Sequence, residues 1–512
     1  MSWGTGFAAS LASGHGELKV LVGPLGAPIV TLGPDELVGD VVVAGGGLRL
    51  RQWQTSAPQL RVRVHGSALR LAAIRAVLPG ATVQLQLSTS AGTERVFAGR
   101  LRETLTPRPG LLELVADSAE VFVQSRYAAT AYRDGLWESV IGTATTTATF
   151  TPGDATMSIT TPALAFSPGP SGTRWLLIRV DTGGTSYYVA ADTHAVGNVG
   201  GCITLQWDAV TAPTSIPSGT VVTYGPLVVG SPIDVLLRVL ISTGAGTGGA
   251  YDVLPDGLAI PAGLVDTADA ATFAAQVGAL GAVDWFSFGA SRKQQEPEGG
   301  QLLAWAAHLG VWLCQRQGEL TIRAAVDLQD ASTWAAGYVG DVTDEVLLQV
   351  GPHTTRAPDA IPEHYGVKVD MCTSGTSGAR LPYLVLDWAR AVGDPPRSQP
   401  IGPSDAEVTC SAEIVPLAGI PDEKGLWSEH YDDAARRLLP WWGRQVEAVE
   451  VVLSGEACGW CTGDLVAVTS AAIPGPVLTG GVAVGRRALW APSSWDWTAR
   501  QVAGTLYLLG AP

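Results

Sequence analysis

The chain has 512 residues, of which 46% are hydrophobic and only 15% charged, and a net charge of −15. That apolar content excludes global disorder and leaves room for roughly three or four domains with cores of their own. The acidic balance argues against a nucleic-acid-binding surface, which needs clustered Lys and Arg to displace counterions from phosphates.

So few charges on so long a chain imply that much surface is buried, internally or against partner subunits. The opening segment MSWGTGFAASLASGHGELKV has no basic stretch and no long apolar one, so no signal peptide is expected. No run of about 18 uncharged apolar residues reads as a membrane span. Six cysteines, at 202, 314, 372, 410, 458 and 461, do not make a disulfide framework.

Residues 1–130 read as an all-β unit. Short strands are predicted at Glu17–Val22, Pro28–Leu32, Val41–Val43 and Leu48–Gln54, separated by Gly-rich turns. Leu60–His65 alternates apolar with polar residues, as a half-buried strand does. Ala81–Leu87 and Val96–Leu105 form a hairpin about residues 90–93, Leu111–Ala116 follows, and Asp117 caps a short helix at Ser118–Ser125. About seven strands in so short a stretch suggest a small barrel or sandwich. Residues 131–228 carry Thr-rich β runs, few charges and almost no helix signal, and read as an inserted all-β domain. Its clearest hairpin is Arg174–Val180 to Tyr187–Ala190.

Residues 229–335 form a central α/β block. Ser231 and Pro232 start a helix whose Ile233, Leu236, Leu237 and Leu240 share one face, and Gly244 stops it. A Gly-rich, non-helical loop is predicted through Pro255 and Pro261, then a second helix at 301–312 feeding a hairpin, Val311–Cys314 to Leu320–Arg323, that turns at Gln317 and Gly318. Residues 336–512 return to strands, at Val346–Val350, Tyr365–Met371, Val446–Leu453, Asp464–Thr469, Thr479–Ala488 and Thr498–Leu508. Within them, 379–430 reads as a long excursion with little regular core, and Asp432–Leu439 as a short helix stopped by Pro440.

Three segments of the central block carry a family resemblance: Pro232-Ile-Asp-Val-Leu-Leu-Arg-Val-Leu-Ile-Ser-Thr-Gly244, Tyr251-Asp-Val-Leu-Pro-Asp-Gly-Leu-Ala-Ile-Pro261, and the strand Gly318-Glu-Leu-Thr-Ile-Arg323. Together they resemble the central domain of tailed-bacteriophage tail-hub proteins, which close the distal end of the tail tube. The resemblance covers roughly a hundred residues and contains no catalytic signature. It implies a mainly β, multidomain chain with two tube-like antiparallel β-barrels flanking the central domain. It further implies a homotrimer whose six barrels meet a hexameric tube ring. The partners would be tail tube ring proteins, the tape measure protein, and central tip or receptor-binding proteins. Genomic DNA would pass through the channel without specific binding, and an acidic wall suits such passage. The protein would reside in the virion after assembly in the host cytoplasm.

An internal echo points the same way. Gly80-x-x-Val83-x-Leu85, followed by Phe97-x-Gly99-x-Leu101, recurs as Gly463-x-x-Val466-x-Val468 followed by Leu478-x-Gly480-x-Val482. Two related β units, one at each end of the chain, are therefore expected.

No enzyme chemistry is expected, and no catalytic, cofactor or metal site. Cys458-Gly-Trp-Cys461 has the spacing of a redox pair or half a zinc site. It lies between strands with no further ligands nearby, and reads as packing or turn residues. The histidines, at 15, 65, 194, 308, 353, 364 and 430, include no metal-binding pair at helical spacing, although Glu363, His364 and His353 could meet. Gly244–Gly249 follows a helix and lacks the Gly-Lys-Ser/Thr ending of a phosphate loop. Seventeen tryptophans, several of them near the C-terminus, suit cores and subunit contacts, with a sugar-binding face as the alternative. The alternatives to a hub are another tail-tip component, such as a distal-tail adaptor or receptor-binding protein, and a carbohydrate-binding β protein.

Overall fold

The computed structural model describes residues 16–50, 53–77, 79–124, 142–151, 156–160, 175–182, 185–192, 202–206, 215–229, 232–243, 257–277, 282–283, 310–326, 331–355, 364–372, 380–389, 406–414, 446–475 and 482–509, with single positions 7, 10, 303, 306, 307, 328, 437 and 441.

The N-terminal part holds β1 (Glu17–Val22), β2 (Val30–Leu32), β3 (Val42–Ala44), β4 (Leu48–Arg49), β5 (Gln54–Thr55), β6 (Gln59–His65), helix α1 (Ala68–Arg75), β7 (Thr82–Thr89), β8 (Gly92–Arg108), β9 (Leu111–Ser118) and helix α2 (Ala119–Gln124). A separate sheet is built from β10 (Gly142–Thr145), β11 (Thr156–Ser158), β12 (Trp175–Thr182), β13 (Thr185–Asp192), β14 (Cys202–Gln206) and β15 (Val221–Val229), joined by β16 (Ala282–Val283). The central block contains α3 (Pro232–Ile241), α4 (Thr267–Val277) and the hairpin of β17 (Val311–Arg316) and β18 (Glu319–Ala324). After α5 (Ala331–Gly337) come β19 (Tyr338–Thr343) and β20 (Leu347–Thr355), then a three-stranded sheet of β21 (His364–Cys372), β22 (Arg380–Ala389) and β23 (Ala406–Ile414). The chain closes with β24 (Val446–Ser454), β25 (Leu465–Pro474), β26 (Val482–Asp496) and β27 (Gln501–Leu509).

The fold is mainly β, with large antiparallel sheets. Its organising feature is a repeat in the 13-stranded main sheet. One half runs β7-β8-β9-β6-β3 and the other β25-β26-β27-β24-β20, and β3 pairs with β26 where they meet. Each half also follows one order along the chain, an early strand, then β6 or β24, a helical turn, and a three-strand meander.

Backbone hydrogen bonds fix the equivalence residue by residue. Gly80 N donates to Leu101 O (2.6 Å) and Leu101 N to Ala81 O (2.8 Å); Gly463 N donates to Trp490 O (2.9 Å) and Trp490 N to Asp464 O (2.8 Å). Both glycines have positive φ, 88° and 96°, which side chains resist. Val83 and Leu85, like Val466 and Val468, are wholly buried. The first half of the sequence echo therefore marks equivalent strands. Its second half is misplaced: the counterpart of Leu101 is Trp490, whereas Val482 pairs with Pro474, and Leu478 and Gly480 lie outside the described residues.

Period-two patterning explains the strands that sequence predicts well. In β6, Leu60, Val62 and Val64 are buried while Arg61, Arg63 and His65 are exposed. The two halves share one continuous core, from Val20, Val62 and Phe97 to Val449, Trp490 and Val502. A second core surrounds the central block and takes in residues of both halves, among them Trp53, Cys461 and Leu489.

Several expectations are corrected. A helix that the sequence reading leaves out, α4, follows the predicted loop: Asp266 Oδ1 accepts from Asp269 N (3.0 Å), capping it. Helix α1, capped by Ser67, was not expected either; only Leu71 and Ile74 on it are buried. Within 301–312, Leu303, Ala306 and Ala307 are helical, but Gly310 turns the chain and Val311 already begins β17. The stretch 379–430 contains β22 and β23 rather than lacking regular structure. Of the helix predicted at Asp432–Leu439, only Arg437 is described, and it is helical. The hairpin turn at Gln317 and Gly318 falls where expected, both residues having positive φ, as a tight two-residue turn needs.

Candidate functional site: the joint between the two halves

The joint is a short antiparallel ladder in which Ala44, Val43 and Val42 face Ser494, Trp495 and Asp496. Gly45 N donates to Ser493 O (2.7 Å) and Trp497 N to Val41 O (3.0 Å). Side chains lock its flanks: Thr498 Oγ1 accepts from Val41 N (2.9 Å), Thr462 Oγ1 donates to Gly46 O (2.7 Å), and Tyr507 Oη donates to Leu48 O (2.8 Å). Trp495 closes over the strand, so close that a Cβ on Gly46 would stand 3.0 Å from its ring.

The central hairpin braces the joint from both sides. Toward the first half, Arg95 pairs with Glu319 and Gln315 donates to Ala98 O. Thr55 Oγ1 donates to Leu313 O (2.7 Å). Trp312 stacks on Trp53 at 5.5 Å, and Trp441 meets Trp53 edge-on at 5.8 Å. Toward the second half, Arg323 Nη1 lies 3.1 Å from Asp464 Oδ1, and Cys314 Sγ donates to Thr462 O (3.5 Å).

A buried ionic cluster anchors this brace. Asp269 of α4 accepts from Arg323 Nη2 (3.0 Å) and Thr321 Oγ1 (2.6 Å) and pairs with Arg316; the Arg323 guanidinium lies 4.2 Å over the Phe273 ring. Burial alone would raise the Asp269 carboxyl, but Arg323, Arg316 and Thr321 overcome it and hold it below the usual range. Asp464 is satisfied in turn by Cys461 N (2.8 Å). Nothing in the sequence announced this cluster, because its members come from α4, β17, β18 and the turn before β25. Glu120 is the contrasting group. Burial pushes its carboxyl up to about 8, against the opposing effect of hydrogen bonds from Thr55 and the Gln315 backbone.

Two of the sequence motifs with possible chemistry fall among the described residues, the Cys458–Cys461 pair and His353. Cys458 and Cys461 are buried free thiols in the turn between β24 and β25. Burial pushes Cys458 up to about 12, the opposite of what a nucleophilic thiol requires. His353 Nε2 lies 3.2 Å from Glu447 Oε2, which Arg486 also holds at 3.0 Å; Glu363 lies outside the described residues. Gly244–Gly249 also lies outside them. Among the described residues no group of three or more His, Cys, Asp or Glu is placed to hold a metal. No helix there is long and apolar enough to cross a membrane. A crevice beside the joint, lined by Val43, Gln315, Cys458, Trp460, Trp495 and Trp497, measures about 20 Å³, room for about one water. Trp53, Trp312, Trp441, Trp460, Trp490, Trp495 and Trp497 are all buried, which makes them core residues and not a sugar platform.

No protein-family model and no curated protein matches the chain. Solved structures with a partial likeness do exist, tail proteins among them. A tail protein from Neisseria meningitidis MC58 overlaps 97% of this chain and 97% of its own, at 9% identity and a TM-score of 0.40. The 43 kDa tail protein of prophage MuSo2 from Shewanella oneidensis overlaps 96% and 98%, at 9% identity and a TM-score of 0.35. The Francisella PdpA-VgrG complex in its lidded form overlaps 96% of this chain but 52% of the other, at 7% identity and a TM-score of 0.32. At scores this low the overlaps say nothing further about this chain.

Proposed function

We propose that this chain is a structural tail-hub protein of a tailed bacteriophage. Three copies would form a ring that closes the distal tail tube, anchors the tip or receptor-binding apparatus and surrounds the channel for DNA ejection. The observation that carries this reading is the repeated sheet order. Two matching β units in one chain turn three copies into six near-equivalent units, which reconciles threefold symmetry below with sixfold symmetry above. The resemblance of the central block, read independently, supports the same family. The role is mechanical and non-enzymatic. The division into 1–130, 131–228, 229–335 and 336–512 belongs to this reading, with 131–228 directed outward toward neighbouring tip proteins. Adjacent tail tube ring proteins, the tape measure and central tip proteins would be its partners in the virion, and DNA would pass an acidic wall without specific contacts.

The test is the native mass of the purified chain over a concentration series near neutral pH. Three chains of 53.1 kDa each are expected. A hexamer would overturn the hub and favour a distal-tail adaptor.

A further inference from the structure

The joint uses one edge of β26. Residues 482–489 of that strand pair with β25 on that side, and beyond them β3 takes over at Ser494–Asp496. Its counterpart β8 is built alike. Gly92–Arg100 pairs with β7, Leu101 bonds to Gly80 and Ala81, and the strand then continues to Arg108 alongside β9 alone. Among the described residues no strand occupies the edge of β8 beyond Leu101 on the β7 side.

The counterpart of β3 is equally unpartnered. Leu37 bridges Val64 and Val43 pairs with Leu60; Leu347 pairs with Leu453 and His353 with Val449. β6 and β24 match along their lengths, each ending at a glycine, Gly66 or Gly455, before a helical turn. Val43 therefore corresponds to His353 and Ala44 to Thr354. β20 ends the sheet, with β24 on one side and no described strand on the other. The chain thus carries one joint already made and, in the same geometry, both halves of a second: an open slot on β8 and a strand, β20, of the type that fills it. Leu105 on the slot is 43% exposed and Leu348 on the strand 49%, large apolar side chains left toward solvent along both edges.

We propose that β20 of one copy of this chain adds to the open edge of β8 in a second copy, with Thr354 opposite Leu105 and His353 opposite Thr106. The interface is heterologous, so repeating it carries each copy onto the next until the ring closes. It deepens the ring reading above and depends on it only for the number of copies. Pro352 and Pro107 lie in register shifts just beyond these pairs, of β20 against β24 between Val350 and His353 and of β8 against β9 between Leu105 and Arg108. The same prolines discourage indiscriminate pairing along either edge.

The test uses two full-length variants, Leu105→Cys and Thr354→Cys, purified separately in reducing buffer. They are then mixed and oxidised with oxidised glutathione. This pair takes the non-hydrogen-bonded register of Ser494 and Ala44, whose closer Cα spacing suits a disulfide. The expected result is a disulfide-linked dimer in the mixture, absent from wild type, from either variant alone and from Thr354→Cys mixed with Leu69→Cys. Leu69 is 84% exposed and lies at the other end of α1 from Arg75, whose Nη2 donates to Thr106 Oγ1 (2.8 Å). Absence of the mixed dimer, or an equal yield with Leu69→Cys, overturns the pairing. A single chain carrying both Leu105→Cys and Thr354→Cys separates this proposal from the trimer. A ladder closing at three chains supports both, and one running past three supports the pairing but overturns the trimer. A trimeric native mass without the mixed disulfide keeps the ring and overturns this interface.

Discussion

Trp495 and Trp497 are 8% and 4% exposed because β3 and the chain before it lie against them. The corresponding end of β8, from Leu105 to Arg108, is exposed. The two halves share strand order, the glycine that opens β7 or β25, and the hydrogen bonds that glycine makes. They differ in what completes them. The strand outside β7 is antiparallel to it, whereas the strand outside β25 is parallel. Only the second half receives the Arg323 side chain, through Asp464, where the first half has Ala81. A shared framework with unlike finishing suits the proposed ring, in which each unit would present similar contacts while serving a different neighbour in the chain.

The sharpest way to break this asymmetry is Arg323→Leu. It leaves Asp269 short of a partner and Asp464 without its guanidinium, both deeply buried, so a loss of roughly 3–5 kcal/mol is expected in urea unfolding. A loss below about 1 kcal/mol would mean that the central hairpin does not brace the second half.

Glu120 belongs to α2, the helix that follows β9. Its folded value of about 8 exceeds its ordinary 4.5. Its contribution to stability is therefore full below 4.5 and is lost as pH rises through about 8. Between pH 5 and 8 the wild type should lose on the order of a few kcal/mol relative to Glu120→Gln, whose amide keeps a hydrogen-bond partner for Thr55 without a charge. Parallel stability curves for the two proteins over that range would place the carboxyl in a wetter setting.

The smallest expected effect compares equivalent glycines. A Cβ at Gly80 meets nothing within 4 Å, so Gly80→Ala carries only the strain of positive φ, roughly 1–2 kcal/mol. At Gly463 the same Cβ would stand 2.7 Å from the Trp312 ring, which is pinned against Trp53. Gly463→Ala should therefore cost about 1–3 kcal/mol more. Equal melting shifts for the two variants would show that Trp312 yields.

Much of the framework was legible because its strands alternate cleanly, as in Leu60–His65, or follow a glycine that needs positive φ, as at Gly80 and Gly463. The returning strand β26 was placed too early because its core positions are tryptophans and Pro492 interrupts it, so its apolar pattern reads as an aromatic cluster. Helix α4 was hidden by its alanine-rich composition and by the Gly-Pro loop before it. The joint itself was out of reach. Three residues, Val42 to Ala44, pair with partners more than four hundred positions away, and no local period marks such a contact. The Asp269 cluster escaped for the same reason, its charges being scattered singly through the central block.

The most direct test of six near-equivalent units is electron microscopy of the purified assembly viewed end-on. The repeat predicts a closed ring of three chains showing six similar lobes around a central channel, with strict threefold and approximate sixfold symmetry. A ring of six chains, or particles with no rotational symmetry at any protein concentration, would contradict it.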